Sequence, residues 1–144
     1  MPLVEIIRTQ KTTDRMFNAA MSMPKMIGKK AVTCKDTPGF IVNRLLVPYL
    51  SQAALMVDRG DATFKDVDKA MKLGAGMPQG PMQLADFVGL DTCCAILDGW
   101  IAKYPEEKIF KQSTTLQKLV ADGKLGRKTG EGFYKWKGDK IVEE

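Results

Sequence analysis

A mainly α-helical chain opened by a strand-helix-strand segment is the fold class this sequence predicts, on three observations. Apolar residues recur with helical period from residue 37 onward. Gly and Pro punctuate that pattern into separate helices. Two short runs rich in β-branched residues both fall before residue 37.

Leu3 to Ile7 reads as a buried strand carrying one acid, Glu5. Thr12 or Thr13 caps a helix in which Met16, Ala20, Met23 and Ile27 recur at helical spacing. Pro24 predicts a kink or early end there, and Gly28 a stop. Ala31 to Cys34 is a second strand. Two strands alone bury too little, so residues 1–36 read as a fragment of an α/β sheet. A long helix follows from Thr37 to near Asp58, with Thr37 or Asp36 as its cap, Pro38 at its first position and a kink at Pro48. Thr63-Phe64-Lys65-Asp66 resembles a capping box for a helix ending at Gly74, with Phe64, Val67 and Met71 on one face. Pro81 opens a short helix to Val88, which Gly89 breaks. Asp91 caps the next, whose apolar side is Leu97, Trp100, Ile101 and Tyr104 and which Pro105 ends. Ser113 to Thr115 caps another, through Leu116, Leu119 and Val120 to Gly123. Phe133 to Trp136 alternates like a short extended segment, and the tail from Lys137 reads as frayed. The Met stripe (Met16, Met23, Met26), with Met56, Met71, Met77 and Met82, reads as core and contact filling.

Composition narrows the function classes. The 144 residues, 44% of them hydrophobic, make one average domain with room for a core. No apolar run approaches the roughly 20 residues of a membrane span, and the first residues carry no signal-type block. Cys34, Cys93 and Cys94 are too few for a disulfide scaffold and lack metal spacing, so reduced thiols in a reducing compartment are expected. There is no histidine, which excludes a His-based triad, metal site or general base within these residues. No carboxylate cluster suits a metal. The net charge of +5 is spread from Arg8 to Lys140 among acids. That pattern fits a solvated basic surface or a phosphate-bearing cofactor or acyl-CoA better than nucleic acid.

Three motifs hold candidate chemistry. In Asp36-Thr37-Pro38-Gly39-Phe40-Ile41-Val42-Asn43-Arg44, Gly39 permits close backbone approach. Asn43 falls one turn into an apolar helix, where a buried amide needs backbone or ligand partners. Gly74 to Gly80 is no dinucleotide fingerprint, because it contains Pro78, has an extra residue and follows a helix. Gly126 to Gly132 is no phosphate loop, because Arg127 stands before Lys128-Thr129 where glycine is required.

Asp36–Arg44 nevertheless resembles the signature of the 3-hydroxyacyl-CoA dehydrogenases where their NAD domain passes into their helical domain. The similarity continues through Arg59-Gly60-Asp61-Ala62, Ala70 to Gly76, Gly80-Pro81, Gly89-Leu90-Asp91 and Gly126 to Tyr134, and is greatest to the short-chain, mitochondrial type. It implies an all-helical dehydrogenase C-terminal domain at 37–144, carrying dimerisation and the substrate cleft. Ahead of it, residues 1–36 would be the last strand-helix-strand of a Rossmann-type NAD domain. It implies the oxidation of L-3-hydroxyacyl-CoA to 3-oxoacyl-CoA with NAD in the mitochondrial matrix. Expected partners are a second copy, the chain's own N-terminal NAD domain and acyl-CoA in the interdomain cleft. By resemblance, Glu5 pairs with the catalytic histidine, Asn43 organises the substrate side, and Lys128 reaches across the cleft to NAD. Trp100 and Tyr104 read as core or subunit interface, and the resemblance, through the family's dimerisation, favours the interface. The family's histidine and NAD fingerprint precede these residues, so this chain alone is expected to be inert. The alternative is a free-standing helical dimerisation module without the chemistry.

Overall fold

The computed structural model describes residues 1–142. Among these, a parallel β-α-β opening is followed by five further α-helices. The chain divides into two compact units, Met1–Leu45 and Leu46–Glu144.

The first unit pairs β1 (Leu3–Arg8) with β2 (Lys30–Lys35) in parallel, with Glu5 opposite Val32. A parallel pair needs a crossover, which α1 (Asp14–Met26) supplies. Thr13 caps α1, its hydroxyl accepting from the Met16 amide at 3.3 Å. Pro24 lies inside the helix, which stops two residues later. β1 is half-buried rather than buried, because two strands cannot enclose a face between them. For the same reason Met16, Met23 and Met26 are exposed, not core.

Helix α2 (Val42–Asp58) crosses from one unit to the next. It begins four residues later than Pro38, the first helical position the sequence predicts. Pro38 lies in a turn, and consecutive positive φ angles at Gly39 (84°) and Phe40 (49°) hold the chain out of helix until Val42. Asn43 is therefore the second helical residue, and it is exposed rather than buried. Helix assignment runs on through Pro48, which is buried.

In the second unit α3 (Phe64–Gly74), α4 (Pro81–Val88), α5 (Leu90–Lys103) and α6 (Thr114–Ala121) enclose two apolar clusters. Leu50, Ala54, Met82, Ala85, Leu90 and Leu116 form the larger cluster. Val47, Leu97, Trp100 and Phe110 form the smaller. Trp100 thus belongs to the core rather than to a subunit interface, with its ring 5.4 Å from that of Phe110. Tyr104 is half-buried beside the same ring. Thr63 caps α3, accepting from Asp66 N at 3.1 Å, and Ser113 caps α6, accepting from Leu116 N at 3.1 Å. The residues after Tyr134 are not frayed as far as Val142. β3 (Trp136–Lys137) and β4 (Lys140–Ile141) form an antiparallel hairpin across the two-residue Gly138-Asp139 loop.

Remote carboxylates hold this unit together. Asp68 on α3 accepts from the Met82 and Gln83 amides of α4 at 2.7 and 2.9 Å and from the Tyr134 hydroxyl at 2.8 Å. α4 follows Gly80 and has no side-chain cap of its own, so its free N–H groups require such an acceptor. Asp58 does the same for α6, accepting from Thr114 N at 2.8 Å, Thr115 N at 2.9 Å and Ser113 Oγ at 3.1 Å. Asp86, 1% exposed, accepts from Phe133 N, Tyr134 N and the Trp136 indole at 2.8–2.9 Å. Gly132 lies so close that a Cβ there would stand 2.1 Å from Asp86 Oδ1. The glycines of the Gly126–Gly132 stretch thus serve close packing on α4.

Candidate active site

Glu5 sits mid-strand on β1, and its Oε1 accepts from the Ile41 and Val42 amides at 2.8 and 3.2 Å. One carboxylate oxygen therefore takes two N–H groups at the start of α2, where helix geometry leaves donors free and concentrates partial positive charge. Oε2 has no partner among the described residues. Asn43 follows Val42 directly in the chain, within the first unit. A hollow of the same unit, lined by Arg8, Thr33, Cys34, Lys35, Asp36 and Thr37, lies at the carboxyl ends of β1 and β2. Ligands of open α/β sheets bind outside the carboxyl ends of the strands.

Lys128 belongs to the second unit and lies in a 3-10 turn, Arg127–Thr129. Its ammonium donates to both oxygens of Asp91, at 2.5 and 2.7 Å. Asp91 is therefore not the cap of α5; the cap position is Gly89. The hydrogen bond from Lys128 holds the Asp91 carboxyl below its ordinary value, against a smaller upward push from burial. An ammonium has three donors. Two go to Asp91, and the group remains 46% exposed, so it fits a further anionic acceptor such as a cofactor would bring.

Cys93 and Cys94 are buried and favour the neutral thiol. Burial pushes the Cys93 thiol up to about 12 and Cys94 to about 11. Among the described residues no group of His, Cys, Asp or Glu could hold a metal ion, and no helix is long and apolar enough to cross a membrane. Sequence reasoning missed two members of the arrangement. The Ile41 and Val42 amides that hold Glu5 carry no side-chain signal. Asp91 was visible only as a cap.

A parallel β-α-β followed by a mainly helical unit fits one class: a dehydrogenase C-terminal region with the margin of its NAD domain. Comparison with known proteins agrees. A family model described as the 3-hydroxyacyl-CoA dehydrogenase C-terminal domain matches residues 39–136, and one described as the NAD binding domain matches residues 1–37. The chain belongs to the 3-hydroxyacyl-CoA dehydrogenase family. It is 55% identical over 137 residues to the mitochondrial hydroxyacyl-coenzyme A dehydrogenase of Homo sapiens, covering 95% of this chain and 44% of that protein. It is 56% identical over 137 residues to a probable 3-hydroxyacyl-CoA dehydrogenase of Caenorhabditis elegans, covering 95% and 46%. The crystal structure of (S)-3-hydroxybutyryl-CoA dehydrogenase from Ralstonia eutropha matches with a TM-score of 0.89 at 38% identity, over 95% of this chain and 48% of that one. The chain spans less than half the length of these relatives.

Proposed function

We propose that the chain is the C-terminal portion of an NAD-dependent enzyme of fatty-acid β-oxidation in the mitochondrial matrix, oxidising L-3-hydroxyacyl-CoA to 3-oxoacyl-CoA. In this reading residues 1–36 complete the NAD-binding domain, and residues 37–144 form the domain that dimerises and borders the substrate cleft. The observation that carries it is the Glu5 carboxylate, anchored through Oε1 at the start of α2 with Oε2 open, beside Asn43. A histidine from the family's preceding segment takes the substrate hydroxyl proton. Glu5 orients that imidazole and stabilises its charged form. Asn43 orders the substrate side. When bound, NAD accepts the C3 hydride. Lys128 offers it the one donor that Asp91 leaves, and Asp91 keeps the ammonium in place.

The 144 residues hold no histidine, so on their own they are expected to turn nothing over. The test joins this chain behind the N-terminal half of the Caenorhabditis elegans relative and follows NADH consumption with acetoacetyl-CoA. The joined protein should reduce the substrate and the isolated chain should not. Turnover by rigorously purified isolated chain would overturn the inertness. A folded fusion that binds NADH and acyl-CoA without reducing the substrate would overturn the enzymatic reading in favour of a dimerisation module.

A further inference from the structure

Phe40 is the only non-glycine residue with positive φ among the described residues, at 49°. Side chains other than Gly, Asn and Asp rarely adopt this conformation, and it persists where surrounding structure imposes it. The Phe40 ring is 40% exposed. The backbone around it does have a consequence. Phe40 N donates to Thr37 O at 3.0 Å, closing a turn. With Gly39 also left-handed, the chain reverses so that two successive amides, Ile41 and Val42, converge on the same oxygen of Glu5. An extended or helical Phe40 would aim the two donors elsewhere. Oε1 is thereby pinned, and with it the plane of the carboxylate and the direction of Oε2.

We infer that the strained Gly39-Phe40 turn is a positioning device for Glu5. Its left-handed backbone, not the Phe40 ring, fixes the orientation in which the open oxygen meets the histidine. Phe40 is a positioning residue acting through two main-chain amides. The inference rests on the reading of Glu5 as the histidine's carboxylate partner, and its test separates the two.

The kinetic test uses the fusion protein and three substitutions at one position. Phe40→Gly and Phe40→Asn accept a left-handed backbone, whereas Phe40→Val, β-branched, resists it. The expected result is a fall in kcat of about tenfold or more for F40V with the acyl-CoA KM within about twofold, rescued by F40G and F40N at the same position. Equal losses in all three would assign the effect to the ring and overturn the inference, as would an F40V enzyme indistinguishable from F40N. The structural test uses the 144-residue chain itself. Glu5→Ala should shift the amide proton resonances of Ile41 and Val42, and F40V should shift them similarly while F40N leaves them near their original positions. Unmoved Ile41 and Val42 resonances in Glu5→Ala would sink the inference even if F40V failed to fold. Resonances that move as expected, with a Glu5→Gln fusion of undiminished kcat, would leave the hold on the carboxylate standing and remove the catalytic reading of Glu5.

Discussion

Glu5 caps α2 and Asp68 caps α4, each from a remote element, yet the two carboxylates differ in surroundings and in what remains free. Asp68 is 4% exposed and spends both oxygens, one on Met82 N and the other on Gln83 N and the Tyr134 hydroxyl. Glu5 is half-exposed and spends one. A buried acid with both oxygens engaged has nothing to offer a substrate, and its role ends in the fold. A half-exposed acid with one oxygen pinned has an oriented acceptor to spare. The same local geometry thus serves stability in the second unit and, on the proposed reading, chemistry in the first.

The contrast is sharpest for substitutions at the buried end. Asp86→Ala strands one buried and two part-buried donors, and at 1–3 kcal/mol for each unsatisfied group it should cost roughly 3 kcal/mol of stability. Urea unfolding of the isolated chain measures this, and an unchanged midpoint would break the comparison. Glu5→Gln should behave in the opposite way. Losing a charge-assisted hydrogen bond worth roughly 1.5–3 kcal/mol predicts about 10- to 150-fold lower kcat in the fusion protein, with the unfolding midpoint nearly unmoved. If only the substrate KM rises, the assignment of Glu5 is wrong. Asn43→Ala should also lower kcat, by less.

Asp58 sharpens the comparison through pH. Burial raises its pKa, but the hydrogen bonds from Thr115, Thr114 and Ser113 outweigh that, and the net shift is downward from 3.8. A carboxylate held below its unfolded value contributes stability above that value and loses it as pH falls through the folded pKa. For Asp86 the sign reverses. Burial raises its pKa despite the bonds from Trp136, Tyr134 and Phe133, so its titration makes the folded state less favoured as pH rises from 3.8 toward the raised value. Asp58→Asn should cost about 1–2 kcal/mol near neutrality, as loss of a helix cap does, and should flatten the acid limb of a stability–pH profile. An acid limb as steep as before would contradict the capping role. The smallest effect belongs to Lys128→Ala. An exposed pair of this kind is worth about 0.2–1 kcal/mol, so the apparent NAD constant of the fusion should rise by about 1.4- to fivefold with kcat retained.

The elements themselves were largely legible, because period, caps and breakers are local. Thr13, Thr63 and Ser113 act as the caps the sequence predicts, and Pro81, Val88 and Gly89 bound α4 as expected. The start of α2 was misread because Pro38 suits a first helical turn by itself. Only the Gly39-Phe40 reversal, which Phe40 conceals, delays the helix. The β3–β4 hairpin carries only a short signal, Gly138-Asp139 between alternating residues, which a polar chain end masks. Least legible were the long-range acceptors. That α4, beginning after a glycine, needs a foreign cap could be deduced; that Asp68 supplies it could not, because the two are joined only in space. The roles of Glu5, Asn43 and Lys128 came from family resemblance rather than from local pattern.

The bond between Asp86 and the Trp136 indole spans 50 residues of sequence. On a ribosome making about 5–20 residues per second, α4 would therefore wait roughly 3–10 s for the segment that neutralises the demands of its buried acid. Until then Asp86 has only water for company, and the helices around it cannot close dry. The second unit should accordingly close only after residues 133–136 have been made. Its Trp136 fluorescence, on release of a nascent chain, would time that closure directly.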